Sequence, residues 1–338
     1  MKETDADDAP IYYDDDADLT VLDDKTIAII GYGNQGRAQA LNMRDSGVED
    51  IIVGNRSDPS REQAAEDGFD DYDVAGAAER ADIVFMLIPD EVAPRVYTDD
   101  IEPGLEAGDT VNFASGYNIT YDFIEPTEDL DVVMIAPRMI GELVRELYEE
   151  GDGAPSMIAV NQDASGDAMA TALALSKAIG STRSGVIGGT FEMETKIDLL
   201  TEQALIPIFF NAIAAKYEIE REEGIPGEVI LLEQYLSQEM AHIFEVMGKE
   251  GFIGQLPLHS QTSQYGQMSR AASYNREPMK EYMREQLEEI DNGAFAREWT
   301  NEQQAGYPML NRLYKTFNDS EMIRKEQETI EKLGLRNE

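Results

Sequence analysis

The chain has 338 residues, of which 68 are acidic and 27 basic, for a formal net charge of -41. That charge repels polyanions and anionic surfaces, which excludes nucleic acid and membranes as expected partners. The absence of cysteine excludes disulfides and thiolate metal sites, and a 42% hydrophobic content at this length fits a globular chain of two domains or one large α/β unit.

Residues 1–20, with the runs DADD and DDDADL, read as an acidic, solvated leader. The N-terminus is acidic where a signal peptide would be basic and then apolar, and no run approaches 18 apolar residues. A cytoplasmic protein is expected. Because acid is spread along the whole chain, the surplus reads as a hydrated surface suited to salt-rich, halophilic cytoplasm.

From Lys25 the texture changes. TIAIIG, DIIVGN, ADIVFMLIP, DTVNFA, DVVMIAP and SMIAVN are short apolar runs bounded by Gly, Pro, Asp or Asn, as buried strands are. Helical stretches such as the one from Asn34 to Arg44 alternate with them, which predicts βαβ units and a doubly wound parallel sheet. The dinucleotide-binding domain is placed at residues 21–187. Beyond it, segments 192–223, 227–250 and 277–292 and a tail from 319 show apolar residues at three- and four-residue spacing, so residues 188–330 form an all-helical domain.

The first strand runs into Gly31, Tyr32, Gly33, Asn34, Gln35 and Gly36, the G-x-G-x-x-G pattern, and a helix follows directly. In that context the glycines permit a tight turn, close approach of a pyrophosphate and close helix packing. After the second strand an acid would receive a ribose diol. Here Asn55 and Arg56 stand at its end, with Ser57 and Ser60 beyond, a set suited to a 2′-phosphate. Asp58 in the same loop opposes that phosphate. NADPH is the expected cofactor, with NADH possible.

In the helical half, Asp198 and Glu202 lie one turn apart in EMETKIDLLTEQ and point the same way. Two histidines exist, His242 and His259, and the latter precedes Ser260. Each has a structural or solvent-exposed role as its default, and His259 is a candidate acid.

GYGNQGRAQALNMRDSG, FMLIPDEVAPRVY, NFASGYNI, VVMIAPRMIGELVRELYEEG, MIAVNQDASGDA, GVIGGTFEMETKIDLLTEQ, TSQYG and FAREWTNEQQAGYP follow one another as in short-form ketol-acid reductoisomerases, which the chain resembles from about residue 11 to 320. The resemblance implies a Rossmann domain followed by a knotted helical domain that pairs in a homodimer or larger homo-oligomer. It also implies NAD(P)H and two Mg²⁺ ions, used to shift an alkyl group in a 2-hydroxy-2-alkyl-3-keto acid and reduce the new ketone during valine and isoleucine synthesis. Carried over to this chain, it places Pro89, Asp90 and Gly116 with the glycine turn at the cofactor. Asp198, Glu202 and Glu239 match metal ligands, and Ser260 matches the serine that binds the substrate carboxylate.

Several matching positions differ. Tyr235 stands where another metal-site glutamate is expected, and a phenol is a poor magnesium ligand. Ser115 stands for a histidine and Arg138 for a lysine, so an imidazole and an amine able to exchange protons are replaced by groups that cannot. EQALIPIFFN puts Pro207, Ile208 and Phe209 where small residues are usual. Ser115, Arg138, Asp198 and Glu202 are the expected catalytic group, with Arg138 either a salt-bridging residue or a carboxylate clamp. The sequence therefore favours a magnesium-assisted reductase of a 2-keto acid with the alkyl shift altered or lost. The alternatives are a true ketol-acid reductoisomerase and a non-catalytic dinucleotide-binding paralogue.

Overall fold

The computed structural model of the protein describes residues 8–335. The chain divides into two compact units, Met1–Asp198 and Leu199–Glu338.

The first unit is built on nine strands: β1 (Ile11–Tyr12), β2 (Ile27–Ile30), β3 (Ile51–Gly54), β4 (Asp70–Tyr72), β5 (Ile83–Met86), β6 (Thr110–Phe113), β7 (Asp131–Pro137), β8 (Ser156–Gln162) and β9 (Val186–Gly188). Their order is β1-β9-β8-β7-β6-β5-β2-β3-β4. The run from β4 to β7 is parallel, while β8 joins β7 antiparallel and β1 joins β9 antiparallel. Order reverses between β2 and β5, so the carboxyl ends of those strands open the crevice where a doubly wound sheet receives ligands.

All six expected strands form. Along β2, Ile27 and Ile29 belong to one apolar cluster and Ala28 and Ile30 to another, because successive side chains face opposite sides of a sheet covered on both faces. The three strands not anticipated are two or three residues long. One of them corrects the expected leader. Residues 1–7 lie outside the described residues, but Ile11 and Tyr12 pair with Ile187 and Val186, and Tyr12 is buried. The aspartates that follow are compatible with this because they lie on exposed turns.

Helices that position the site are α1 (Asn34–Asp45), α2 (Pro59–Glu66), α3 (Gly141–Glu149), α4 (Ala168–Ala178) and α5 (Phe191–Leu200). By contact the two units divide inside the last of these, after Asp198. The start of this helix packs closely in the first unit: a Cβ on Gly116 would lie 2.3 Å from the Phe191 carbonyl oxygen and 2.6 Å from Thr195 Oγ1.

The second unit is helical, with α6 (Ile206–Glu222), α7 (Gly227–Leu231), α8 (Glu239–Glu250), α9 (Gln261–Ser273), α10 (Glu277–Asp291), α11 (Ala294–Gln304), α12 (Pro308–Asn318) and α13 (Glu321–Leu333). A π-helical stretch, Thr201–Leu205, joins α5 to α6 just before Pro207. Proline cannot donate a backbone hydrogen bond, and a local change of helical repeat relieves that loss. The resulting helix, Phe191–Glu222, contains an 18-residue window apolar enough by length and composition to cross a membrane, with 11% of that window buried. A contiguous count misses it because polar residues, among them Gln203 and Asn211, interrupt the run.

A second departure concerns the expected helix over 227–250. A π-helical stretch ends at Leu236, and Gln238 adopts φ +63° before α8 starts at Glu239. Non-glycine residues seldom take this left-handed conformation, and here it ends one helix and begins another.

In the first unit, Asp67 ties the glycine turn to its neighbours. Its carboxylate accepts from Tyr32 Oη at 2.9 Å, from Arg37 Nε and Nη2 at 2.6 and 3.0 Å, and from Gln63 Nε2 at 3.2 Å. The Arg37 hydrogen bonds lead the causes that hold its carboxyl below the usual carboxylate range. A depressed folded-state pKa stabilises the fold above the unfolded value of about 3.8, and that stabilisation is lost as pH falls through the lower folded value. Asp67→Asn is expected to cost about 1 kcal/mol at pH 7, a figure discounted because Arg37 is half exposed. Urea unfolding of both proteins from pH 7 downward should show the gap closing below about pH 5; a gap independent of pH would contradict the assignment.

Candidate active site

The glycine turn is fixed by backbone contact. Gly31 has φ +95°, and a Cβ there would meet the Leu87 carbonyl oxygen at 2.6 Å, where the ends of β2 and β5 abut. A Cβ on Gly36 would lie 1.9 Å from the Gly31 carbonyl oxygen, so the first turn of α1 can approach β2 only with glycine at this position. Gly33, by contrast, has open space on its Cβ side. Asn34 and Gln35 begin α1, whose free N–H groups and positive dipole end suit a pyrophosphate.

At the end of β3, Asn55 is buried and donates from Nδ2 to Asp58 Oδ1 at 3.1 Å. Asp58 also accepts from the Ser60 and Arg61 backbone N–H groups, capping α2, and from Arg56 Nε at 2.8 Å. The Arg56 guanidinium is first among the causes that lower the Asp58 pKa. Asp58, expected to oppose a phosphate, is thus engaged as a helix cap and as the partner of Arg56. The Arg56 side chain is 86% exposed, and Ser57 lies beside it on the surface.

Pro89 and Asp90 are exposed after β5, where Asn118 Nδ2 reaches Asp90 Oδ1 at 3.1 Å. Ser115 and Gly116 follow β6. Ser115 Oγ accepts the Tyr117 N–H at 3.2 Å. The Arg138 loop after β7 is joined to the glycine turn, since Gln35 Nε2 donates to the Met139 carbonyl at 2.8 Å and Gly141 packs against the Asn34 carbonyl.

Glu194 brings these loops to α5, and sequence reasoning missed it. It is 1% exposed. One carboxylate oxygen accepts the Gly116 N–H at 2.7 Å and the other accepts from Arg138 Nη1 at 3.0 Å. Burial raises its pKa, against the Gly116 and Arg138 contacts that lower it. Arg138 Nη2 also reaches Asp198 Oδ1 at 3.2 Å. A signal was present: Glu194 stands four residues before Asp198, the same spacing that singled out Glu202. Arg138 therefore acts as a salt-bridging residue, with both terminal nitrogens engaged by the chain's own carboxylates.

In the second unit, Tyr235 Oη donates to Glu326 Oε1 at 2.6 Å, and its ring packs with Tyr217, Ile230 and Leu231. Burial pushes its pKa up further. Ser260 caps α9, its Oγ accepting the Ser263 N–H at 3.3 Å. His259 Nε2 lies 2.9 Å from Gln255 Oε1, and His242 pairs on the surface with Glu245. Phe209 meets Phe244 edge-on at 6.1 Å, so the bulk expected in this segment is packed with an aromatic partner. Among the described residues no three His, Asp or Glu side chains gather to hold a metal ion. The expected trio Asp198, Glu202 and Glu239 is therefore not a formed centre in a single chain, with one Asp198 oxygen taken by Arg138.

A family model for the NADPH-binding domain of acetohydroxy acid isomeroreductase matches residues 21–185, and one for the C-terminal domain of ketol-acid reductoisomerase matches residues 191–333. The chain is 44% identical to the ketol-acid reductoisomerase (NADP(+)) of Methanopyrus kandleri, covering 97% of each. It is 43% identical to putative ketol-acid reductoisomerase 3 of Saccharolobus solfataricus, over 93% of this chain and 95% of that one. A solved NADH-preferring ketol-acid reductoisomerase from an uncultured archean superposes with a TM-score of 0.88 at 37% identity, over 96% of this chain and 99% of that one. With both halves matched over nearly their whole length and the glycine turn built for a dinucleotide, the chain belongs to the ketol-acid reductoisomerase family of NAD(P)H-dependent oxidoreductases.

Proposed function

We propose that the chain catalyses the ketol-acid reductoisomerase reaction, a cytoplasmic step of branched-chain amino acid synthesis, with NADPH as hydride donor and NADH as a possible substitute. The observation that carries this reading is 42–44% identity, over nearly the whole chain, to relatives named for that activity. It takes precedence over the expectation of a lost alkyl shift.

The residues fit the groups the reaction requires. Gly31, Gly33 and Gly36 leave a cradle for a pyrophosphate at the start of α1. Asp198 and Glu202 are hard oxygen donors, and magnesium commonly uses one or two carboxylates with water and substrate oxygens completing its shell. When bound, such an ion would supply Lewis-acid polarisation of the substrate carbonyl. Ser115 keeps its O–H for a substrate oxygen while accepting the Tyr117 N–H. Arg138 holds Asp198 and balances Glu194, but exchanges no proton at neutral pH. Ser260, at the N-terminus of α9, can offer its O–H and the helix dipole to a substrate carboxylate.

A second copy of the chain is the expected cover for the apolar surface of the helical unit. Phe210, Phe252, Leu258, Tyr265 and Phe317 are each more than 60% exposed there, and soluble chains seldom leave such groups uncovered. The acidic surface fits a salt-rich cytoplasm, where ions screen its self-repulsion.

A second reading, reduction of a 2-keto acid without the alkyl shift, is favoured by one observation: Ser115 and the doubly paired Arg138 leave neither position able to take up or release a proton near neutral pH. Three outcomes are expected. Acetolactate should drive magnesium-dependent NADPH oxidation, as should its rearranged isomer 3-hydroxy-3-methyl-2-oxobutanoate; turnover of the isomer alone would establish the second reading. Arg56→Ala should raise KM for NADPH about tenfold and leave that for NADH nearly unchanged, as loss of a phosphate contact does; equal effects on both would exclude Arg56 from phosphate binding. Light scattering in molar KCl should give at least twice the 37.6 kDa of one chain, and a stable monomer would remove the proposed cover.

A further inference from the structure

We infer that each chain takes up one divalent cation rather than the two implied by the family resemblance. The inference rests on the reading of Asp198 and Glu202 as metal ligands, and two independent departures in this chain carry it.

The first lies at Asp198. Two cations about 3.5–4 Å apart are held by carboxylates whose oxygens are shared between them. Here Asp198 Oδ1 accepts from Arg138 Nη2 at 3.2 Å, leaving one oxygen for a metal. Arg138 is held in turn, because its other terminal nitrogen balances Glu194, which is 1% exposed and fixed on its far oxygen by the Gly116 N–H. A buried carboxylate needs this partner, so the guanidinium has a reason to stay. What differs from a lysine here is the two-pronged reach: one guanidinium joins Glu194 and Asp198 at once, so its hold on Asp198 Oδ1 is fixed by its hold on Glu194.

The second departure lies in the other unit. A second ion would draw on the later pair of carboxylates, and here that pair is dismantled twice over. Tyr235 replaces one member and is committed to Glu326 at 2.6 Å. The left-handed turn at Gln238 separates the helical stretch bearing Tyr235 from α8, so Tyr235 and Glu239 are no longer neighbours on successive turns of one helix. Glu239 remains as a single carboxylate. The first pair lies on the continuous helix Phe191–Glu222, Asp198 in its α-helical part and Glu202 in the π-helical stretch Thr201–Leu205, with no left-handed residue between them.

The test is a direct count. Mn²⁺ is titrated into the full-length protein in molar KCl, which screens diffuse binding to the acidic surface, and bound ion is followed by electron paramagnetic resonance and calorimetry. One saturable equivalent per chain, lost in Glu202→Gln of unchanged circular dichroism, with spectra of isolated Mn²⁺, is the expected result. Two equivalents, or the exchange-coupled spectrum of a metal pair, would overturn it, as would no saturable site at all. Arg138→Lys combined with Tyr235→Glu is expected to move the count toward two if the variant folds; the wild-type count decides the matter either way. Acetolactate turnover on the same preparations separates the claims: turnover with two ions sinks the one-ion inference alone, and one ion without turnover sinks the proposed reaction alone.

Discussion

The buried carboxylate of Glu194 is the constraint on which the candidate site depends. Taking a carboxylate out of water is expensive unless each oxygen finds a donor, and here the donors come from different loops, the Gly116 N–H after β6 and the Arg138 guanidinium after β7. Satisfying one side chain therefore registers two strand ends against α5. Asp198, one turn further along the same helix, inherits its position from that registration. Gly116 allows the approach, because any side chain there would run into the Phe191 carbonyl.

How much of this could be read from the sequence varied with how local the cause was. The six long apolar strands and the glycine turn were legible because burial on both faces and the backbone crowding at Gly31 and Gly36 dictate residue types within the segment itself. Strands β1, β4 and β9 were not legible. They are two or three residues long, and β1 follows an acidic run whose charge concealed the burial of Tyr12. The break at Gln238 left no trace either, since no glycine or proline marks it. Glu194 was hidden differently. In a chain with 68 acids, a carboxylate four residues from another is ordinary, and only its 1% exposure separates this one from the rest.

The substitutions at Arg138 and Tyr235 have a common physical form. Each of these two is tied to a carboxylate of its own unit, Arg138 to Glu194 and Asp198, and Tyr235 to Glu326. Neither is left projecting as an unmatched remnant. Fixed contacts of this kind hold one arrangement of the side chains at the expense of others.

The cofactor end follows the opposite logic. Arg56 is 86% exposed, and its Nε is held by Asp58, whose remaining capacity caps α2. The guanidinium is steadied by one edge and can present the other to an anion. On the proposed reading, a 2′-phosphate brought to this loop would meet the field of Asp58 as well as that of Arg56, whose side chain is exposed to salt. Discrimination between dinucleotides, if made at this loop as proposed, would rest on weak, screened interactions. The Glu194 carboxylate, 1% exposed, is shielded from such screening by burial. One chain can accordingly drift in cofactor preference through surface residues while its buried charges hold the strand ends in register, which accords with a family that includes both NADP(+)-named and NADH-preferring relatives.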